Sequence, residues 1–440
     1  MRISRIWASV LVLIGLVAGT SEAVALNAPR PMHRPKAETH LSQPHRAAGH
    51  AAAGKATASR AARPAGKTAR AAKGRTASRR AGKSSSAEPR ASLRRASLRT
   101  RRHRFLEHFT ASSFASSPVS EGDITTGEDP VVRQAALEAM GDMNGTAVVI
   151  NPANGRILAM VNQKLALSPG AEPCSTIKLT VALAALSEGI VTADTPVKLA
   201  GFRMNMTDAL AKSNNLYFEE LGRELGFERL HSYENKFGLG ELAGYNIAGE
   251  QRGTYPSEEL PASQGGVGRM CSFGQGVSLT PLQLGAFVAA LANGGTLYYL
   301  QHPATPAEIE AFEPRVKRQL DIAKFVPEMQ LGMAGAVEYG TARRLRYNFQ
   351  ELPVFGKTGT CSDKGTRFGW FASFSNTPQG NLVTVFFLEG GRPTFGPRAA
   401  ELTGLFYKHL WEHDYFKSQE AQAAPAAGAA TAPAQTQTVE

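Results

Sequence analysis

Residues 173–178 read Pro-Cys-Ser-Thr-Ile-Lys, and they open the run Leu179–Leu186, which is apolar on almost every side. A helix that is apolar all round is buried in a core rather than laid on a surface. Gly189 follows at the position where glycine commonly ends a helix. This stretch therefore predicts a buried helix that begins near Ser175, inside a domain large enough to surround it.

Two polar residues stand out at the start of this helix. Ser175 and Lys178 are three residues apart, which places them on the same side of the helix. A lysine that faces inward is unfavourable unless it is paired or kept neutral. Burial and a neighbouring cation would lower the pKa of its amine, which could then accept the serine proton. A capping role alone also explains the serine, and Ser-x-x-Lys by itself is a weak signal.

The segments on either side of the helix have the pattern of β-strands. Two short runs, Thr146–Asn151 and Arg156–Asn162, flank an Asn-Gly hairpin signal at Pro152–Gly155. Three further runs are Leu352–Cys361, Arg367–Ser375 and Asn381–Glu389. Pro378–Gly380 is expected to form the turn before the last of them. Both groups are rich in β-branched and aromatic residues, so the sequence predicts strands at both ends of the folded part.

Helices are predicted between the two groups of strands, from Ser175 to about Leu300, and an amphipathic helix over Ala399–Glu412 closes the domain. This order predicts an α+β fold with one mainly antiparallel sheet covered by helices. The folded domain is expected to span residues 130–416.

The charge of the chain is concentrated at its N-terminus. Residues 1–104 hold 23 Lys and Arg against 3 Asp and Glu, whereas residues 105–440 hold 26 against 34. The net charge of +12 therefore describes the first quarter of the chain, and the rest lacks the composition of a basic nucleic-acid-binding domain. Three cysteines are too few for a disulfide scaffold and match no zinc spacing, so neither a metal ion nor another cofactor is expected.

The first 25 residues have the layout of a secretory signal. Met1–Arg5 carries two arginines, Ile6–Gly19 is an uncharged, largely apolar run of 14 residues, and Ala23–Ala25 is a small-x-small pattern. The run is shorter than the roughly 20 residues of a spanning helix, but an uncleaved membrane anchor stays open. The chain is expected to be exported, either into the periplasm or anchored to the cytoplasmic membrane and facing the periplasm.

Residues 26–104 are Ala, Arg, Lys, Ser, Gly and Pro with almost no large apolar side chains, which predicts a disordered basic arm. Its charge suits anionic envelope polymers or lipid headgroups, although a solvated spacer is an equal alternative. Nucleic acid is not expected as a partner outside the cytoplasm. Residues 417–440 are predicted to form a disordered tail.

Two more short motifs raise the weight of the Ser-x-x-Lys signal. Lys212–Phe218 contains Ser213 and Asn215 in a Ser-x-Asn pattern, and Phe355–Thr360 contains Lys-Thr-Gly-Thr on a predicted strand. This trio occurs in penicillin-binding proteins and class A β-lactamases. The chain resembles the transpeptidase domain of penicillin-binding proteins, in the superfamily of serine β-lactamases and D,D-peptidases.

Flanking segments support the same resemblance over about residues 130–412. They are Gly145–Val161, Gly249–Pro256, Ser272–Leu284, Gly340–Ala342 and Gly369–Phe371. The resemblance implies a five-stranded antiparallel sheet flanked by helices, with a helical subdomain. It also implies a site that reacts with the D-Ala-D-Ala ends of peptidoglycan stem peptides, and with β-lactams as covalent inhibitors.

The resemblance assigns a role to each motif residue. Ser175 would be the acylated nucleophile and Lys178 its general base. Ser213 would relay a proton to the leaving amine, and Asn215 would hold the substrate amide. Lys357 would attract the terminal carboxylate and help to keep Lys178 neutral by repulsion.

The rest of the Lys-Thr-Gly-Thr motif would bind substrate. The hydroxyls of Thr358 and Thr360 would hold the carboxylate, and Gly359 would let the edge strand approach the ligand closely. The backbone N–H groups of Ser175 and Thr360 would form an oxyanion hole.

Transfer and hydrolysis differ in what removes the acyl group from Ser175. Class A β-lactamases use a glutamate in a Glu-x-x-Leu-Asn pattern, which this sequence lacks downstream of Ser-x-Asn, and Glu250 lies in a different context. A D,D-transpeptidase is therefore expected. The alternatives are a serine β-lactamase, a D,D-carboxypeptidase, and a catalytically silent wall-binding or β-lactam-sensing protein.

Cys174 precedes the nucleophile and Cys361 follows Thr360. The resemblance places these two positions opposite each other across the site, where carbapenem-hydrolysing class A β-lactamases carry a disulfide, and an exported chain permits one. A disulfide is expected here, with two buried thiols as the alternative. Cys271 is expected to be an unpaired core residue.

Overall fold

The runs predicted as strands pair into one sheet. The computed structural model describes residues 109–377, 380–392 and 394–417. Its strands are β1 Gly145–Asn151, β2 Arg156–Val161, β3 Val197–Leu199, β4 Phe202–Met204, β5 Thr296–Tyr298, β6 Val316–Gln319, β7 Val354–Asp363, β8 Thr366–Thr377 and β9 Gly380–Gly390. The five longest form a sheet in the order β2-β1-β9-β8-β7, in which every neighbouring pair is antiparallel. The predicted α+β fold with a five-stranded antiparallel sheet is confirmed.

The helices cover both faces of this sheet. They are α1 Pro130–Met140, α2 Gln163–Ala166, α3 Lys178–Ser187, α4 Met206–Lys212, α5 Asn215–Leu225, α6 Phe227–Lys236, α7 Gly266–Phe273, α8 Pro281–Ala292, α9 Pro306–Glu310, α10 Val326–Glu338 and α11 Gly396–Glu412. Five 3₁₀ turns accompany them at Ala111–Ser113, Cys174–Ile177, Ala262–Gln264, Ala323–Phe325 and Arg343–Tyr347.

Alternation along β1 divides the core into two layers. Val148 and Ile150 pack with α3 and α8, whereas Ala147 and Val149 pack on the other face with α1 and α11. Helix α3 is buried along Leu179–Leu186, as its composition predicts. The central strands are therefore covered on both faces, and β7 is left at one edge of the sheet.

The hairpin between β1 and β2 forms where the Asn-Gly signal predicts it. Asn151 Oδ1 accepts a hydrogen bond from the backbone N–H of Ala153, and Asn154 Oδ1 accepts one from Arg156. Gly155 has φ +76°, a left-handed conformation that glycine adopts without strain.

The helical stretch is less uniform than predicted. The strand pair β3–β4 interrupts the helical stretch, and the pair β5–β6 lies at its end. Each of these strands has only three or four residues. Strands this short contain too few alternating positions to be recognised from sequence.

Residues 109–129, which precede the predicted domain, also pack on it. The guanidinium of Arg133 on α1 pairs with Asp123 at 2.8 Å and Glu128 at 2.6 Å, and both carboxylates are buried. His302 Nε2 lies 3.0 Å from the carboxylate of Glu128. This cluster ties the segment before α1 to the body of the domain.

Several predictions fall outside the described residues: the signal or anchor at 1–25, the basic arm at 26–104, the tail beyond residue 417, and the turn at 378–379. Within the described ranges, no helix combines the length and the apolar character that crossing a membrane requires.

Candidate active site

Ser175 lies on the 3₁₀ turn Cys174–Ile177, and the α-helix begins only at Lys178. The residue before the serine, Cys174, has φ +52°, which is unfavourable for a residue with a side chain. Thr176 Oγ1 donates to the carbonyl of Pro173 at 2.7 Å and helps to hold the turn. As a result Ser175 is half-buried at the surface of a cleft, while Lys178 is fully buried behind it.

The amine of Lys178 has three oxygens within hydrogen-bond distance. Its Nζ lies 2.7 Å from Ser175 Oγ and 2.9 Å from Asn215 Oδ1, and it also contacts the carbonyl oxygen of Ser272. The last two oxygens only accept, so they use the two protons of a neutral amine. The remaining lone pair of that amine faces Ser175, whose hydroxyl can donate to it. The arrangement suits proton transfer from the serine to the lysine.

Burial lowers the pKa of Lys178 to about 7, and the charge of Glu219 acts in the opposite direction. The expected contribution from Lys357 is not the main cause of this lowering. Repulsion between the two amines acts on Lys357 instead, whose pKa falls well below its usual range because of burial and of the charge of Lys178. Near neutral pH, a large fraction of the Lys178 amine is therefore able to accept a proton.

The Ser-x-Asn and Lys-Thr-Gly motifs meet on the other side of Ser175. Ser213 ends α4 in a left-handed conformation with φ +55°, and its Oγ accepts a hydrogen bond from Lys357 Nζ at 2.8 Å. Lys357 Nζ also donates to the carbonyl of Thr358 at 2.9 Å. Residues of the three motifs, far apart in sequence, thus line one cavity beside Ser175.

The two threonine hydroxyls already have partners within the protein. Thr358 Oγ1 lies 2.6 Å from Thr341 Oγ1, and Thr360 Oγ1 accepts from the backbone N–H of Gly396 at 2.9 Å. Thr358 is buried and Thr360 is exposed. Thr341 belongs to the Gly340–Ala342 segment, which the family resemblance marks without giving this residue a role.

Gly359 lies where β7 passes close to the turn that carries Ser175. A Cβ built at this position would lie 2.8 Å from the carbonyl oxygen of Pro173 and 3.1 Å from Thr176 Cγ2. Close approach of β7 to this turn therefore requires a residue without a side chain, and the approach of the strand to a ligand stays a prediction.

We expect Gly359→Ala to lower the free energy of unfolding by about 1–3 kcal/mol, since the added methyl group overpacks this contact. Urea denaturation measures the change. Ser362→Ala on the exposed part of the same strand is the control, and it should stay within about 0.5 kcal/mol of wild type. Equal effects of the two substitutions would contradict the role assigned to Gly359.

Cys174 and Cys361 are joined by a disulfide. Both sulfur atoms lie near the carbonyl oxygen of Glu172, to which Trp370 Nε1 donates at 3.0 Å. The bond links the turn that carries Ser175 directly to the end of the motif on β7. Cys271 is free and buried, as expected.

A cavity of about 280 Å³ opens between these elements. It is lined by Ser175, Lys212, Ser213, Asn215, Phe273, Thr341, Thr358, Thr360 and Pro397. None of these residues carries a carboxylate. Glu250 instead accepts hydrogen bonds from the backbone N–H groups of Ala243 and Gly244, away from this lining. In the described part of the chain, no group of His, Cys, Asp or Glu side chains forms a candidate metal site.

Five parts of this site have no role predicted from sequence: the carbonyl of Ser272, and the side chains of Lys212, Phe273, Thr341 and Pro397 in the lining. Ser272 and Phe273 belong to a segment that the resemblance marks, but no chemical signal distinguishes them there. A backbone carbonyl is common to every residue, so its role depends on the fold alone.

The family model of the penicillin-binding protein transpeptidase domain matches residues 145–402. The chain belongs to this family. Stage V sporulation protein D of Bacillus subtilis (strain 168) is 31% identical to this transpeptidase-family chain over 259 residues, which cover 49% of the chain and 39% of that protein. The peptidoglycan D,D-transpeptidase FtsI of Escherichia coli (strain K12) is 26% identical over 291 residues, which cover 58% of the chain and 46% of that protein. The match thus spans less than half the length of either relative.

Solved structures share the fold of this transpeptidase-family domain. PBP2 of Pseudomonas aeruginosa aligns with a TM-score of 0.54 at 23% identity, covering 65% of this chain and 74% of that one. A peptidoglycan glycosyltransferase from Burkholderia ambifaria aligns with a TM-score of 0.55 at 18% identity, covering 68% and 98%. At these identities the likeness concerns the fold, and it agrees with the sheet order and helix layers described above.

Proposed function

We propose that the protein is a serine D,D-transpeptidase that acts on peptidoglycan stem peptides through an acyl-enzyme. The observation that carries the proposal is the distance of 2.7 Å between Ser175 Oγ and Lys178 Nζ, whose buried amine has a pKa of about 7. A nucleophile in contact with a base of matched pKa is the arrangement required for covalent catalysis near neutral pH.

The first half-reaction forms an ester on Ser175. Its Oγ attacks the carbonyl of the penultimate D-alanine while Lys178 takes the hydroxyl proton. The backbone N–H groups of Ser175 and Thr360 stabilise the oxyanion, each by about 3 kcal/mol. When the peptide bond breaks, Ser213 passes a proton to the leaving D-alanine amine. Ser213 regains a proton from Lys178, which thereby gives up the proton taken from Ser175 and is neutral again.

Substrate orientation is assigned to the remaining motif residues. Asn215 holds the substrate amide, and Lys357 with Thr358 and Thr360 binds the terminal carboxylate. Burial lowers the pKa of Lys357. A substrate carboxylate that binds beside this amine would favour its charged form. In the second half-reaction, an amine acceptor attacks the ester and restores Ser175. With a β-lactam, the leaving nitrogen stays tethered, so the acyl-enzyme persists.

Transfer is favoured over hydrolysis because no carboxylate lines the described cavity to activate water. Glu219 acts on the pKa of Lys178 through its charge, and its Oε1 lies 3.4 Å from Ser272 Oγ. Rapid hydrolysis would favour the β-lactamase alternative. In that case Glu219 is the first carboxylate to substitute.

The experiment is intact mass spectrometry of the full chain after incubation with a fluorescent penicillin. We expect one adduct, mapped by peptide analysis to Ser175, with a lifetime of many minutes, and no adduct in Ser175→Ala. Release of hydrolysed drug within seconds would indicate a β-lactamase. A stem pentapeptide, given with and without a D-amino acid acceptor, separates transfer from carboxypeptidase activity. No labelling and no turnover would favour the silent wall-binding alternative.

The rate of labelling should depend on pH through Lys178. Because only the neutral amine accepts the proton, we expect the rate to rise about tenfold per pH unit below pH 7 and to level just above it. Stopped-flow fluorescence between pH 5 and 7.5 measures the profile, and a thermal melt at each pH verifies that the protein is folded. A rate that is constant over this range would mean that Lys178 is not the base.

We further propose that the chain is exported, facing the periplasm in soluble or membrane-anchored form. The signal-like pattern of residues 1–25 and the disulfide support this. The basic residues of 26–104 would then meet anionic envelope polymers or lipids. Mass spectrometry of the mature N-terminus tests cleavage of the signal.

A further inference from the structure

The helical layer behind the active site contains a buried carboxyl group that the proposed mechanism does not use. Glu234 on α6 has no exposed surface. Its Oε1 lies 2.6 Å from Thr180 Oγ1 on α3, and its Oε2 has no hydrogen-bond partner among the described residues. None of the ion pairs in the described ranges involves it. A buried carboxylate with a single hydrogen bond is strongly disfavoured.

The hydrogen-bond geometry around Thr180 indicates which group holds the proton. Thr180 Oγ1 lies 2.7 Å from the carbonyl oxygen of Ile177 as well as 2.6 Å from Glu234 Oε1. A hydroxyl has one proton, and a carbonyl can only accept. Each contact is a full hydrogen bond with its own proton when Thr180 donates to Ile177 and Glu234 donates to Thr180. The carboxyl group must then be protonated.

The position of this chain of hydrogen bonds connects it to the active site. Ile177 is the last residue of the 3₁₀ turn that carries Ser175, and Lys178 follows it directly. The Thr180 hydroxyl therefore closes the junction between the turn and α3. If Glu234 were ionised, it could only accept, and it would draw the single Thr180 proton away from Ile177.

The other titratable groups near Glu234 do not offer it a positive charge. Tyr255, from the segment after α6, and Cys271, on α7, both have pKa values raised by burial first and then by the charge of Glu234. Helix α3 contributes Thr180. The charge of Lys178 lowers the pKa of Cys271, but it is not among the causes that shift the pKa of Glu234. Burial raises the pKa of Glu234 to about 8.

We propose that Glu234 is a positioning residue: as a neutral acid it donates to Thr180, and so holds the turn that presents Ser175 to Lys178. This inference rests on the proposed function, because its role is to orient the nucleophile. It predicts that the acylation rate has a falling limb at alkaline pH, where the acid ionises and the turn loses its hydrogen bond.

The test compares penicillin labelling of the wild-type full chain and Glu234→Gln from pH 6 to pH 9.5. The glutamine amide donates to Thr180 at every pH. For the wild type we expect a fall of about sixfold between pH 7.5 and pH 9, because the neutral fraction of an acid with a pKa of about 8 falls about eightfold while that of Lys178 rises about 1.3-fold. Glu234→Gln should keep the rising limb of Lys178 and lose this fall. Deprotonation of Lys357 would lower both profiles alike, so the ratio of the two rates isolates Glu234.

Thr180→Val and Thr180→Ser form a second, matched pair. Valine keeps the shape of threonine but lacks its hydroxyl. The Thr180→Val protein should therefore be labelled more slowly than wild type at pH 7, and its rate should show no Glu234-dependent fall. The Thr180→Ser protein should keep the wild-type profile. A falling limb of equal size in Glu234→Gln and wild type would overturn the inference. If the wild type is not labelled at any pH, the proposed function itself fails.

A measurement that does not depend on activity separates these two failures. The folded chain binds the Glu234 proton more tightly than the unfolded chain, so stability should fall as pH rises from about 4.5 to about 8. The melting temperature of Glu234→Gln should lack this component. Identical melting profiles for the two proteins would show that Glu234 is not held as a neutral acid.

Discussion

Lys178→Met is expected to slow acylation of Ser175 by penicillin by a factor of about 10²–10⁴, the usual contribution of a general base. Methionine fills a similar volume, so the cavity and the turn should remain. The loss then reflects the missing proton acceptor at 2.7 Å from Ser175 Oγ. Stopped-flow labelling at pH 7.5 measures the rate constant, and a rate within tenfold of wild type would contradict the role of this lysine.

The same substitution should make the protein more stable. A lysine with a pKa of about 7 in the fold and 10.5 in the unfolded chain destabilises the folded state by about 4 kcal/mol at pH 7. The oxygens of Asn215 and Ser272 lose a donor, which offsets part of this gain. We expect a net increase of about 1–2 kcal/mol in the free energy of unfolding.

The sign of the pH dependence provides the control. Between pH 7 and 10.5 the unfolded chain holds more protons on Lys178 than the folded chain does, so the wild type gains stability as pH rises. The advantage of Lys178→Met should therefore shrink over this range. Lys178→Arg, which stays charged, should be inactive like the methionine variant but should be less stable than the wild type.

Replacing both Cys174 and Cys361 by alanine is expected to lower the free energy of unfolding by about 2–5 kcal/mol, because the bond closes a long loop in the unfolded chain. The two residues are 187 apart in sequence. For a domain of this size the loss corresponds to a melting temperature lower by about 4–15 °C. Acylation should slow as well, because the bond holds the turn before Ser175 against β7.

Cys271→Ala is the matched control, since this cysteine is buried but free. It should keep the bond and the acylation rate. A second double variant tests the backbone at residue 174. The protein with Cys174→Gly and Cys361→Ala should be acylated faster than the double alanine variant, because glycine adopts φ +52° without strain. If 5 mM dithiothreitol lowers the melting temperature of the double alanine variant as much as that of the wild type, the effect does not come from this bond.

Local sequence patterns predicted the long strands and the buried helix of this protein. The β-branched runs around residues 145–161 and 352–389 became the five-stranded sheet, and the apolar run Leu179–Leu186 became a buried helix. These patterns are reliable because each strand or helix must bury its own apolar side chains. Short strands such as β3 and β4 were missed, since three residues carry no clear period.

Sequence motifs also predicted the candidate site residues, but not all the contacts that they make. The contacts of Gly359 with Pro173 and Thr176 were not predicted. Burial and repulsion from Lys357 were both expected to lower the pKa of Lys178, and burial is the main cause. Both observations depend on distances between segments that are far apart in sequence.

Patterns among neighbouring residues were enough to predict the five long strands, the buried helix and the three motifs, since these depend on short stretches of chain. Which groups meet depends on the folded arrangement. The Ser272 carbonyl at Lys178, the Thr341 hydroxyl at Thr358, and the Glu234 acid at Thr180 are contacts between distant segments. Burial and proton position are properties of the packed interior, so they arise only when those segments come together.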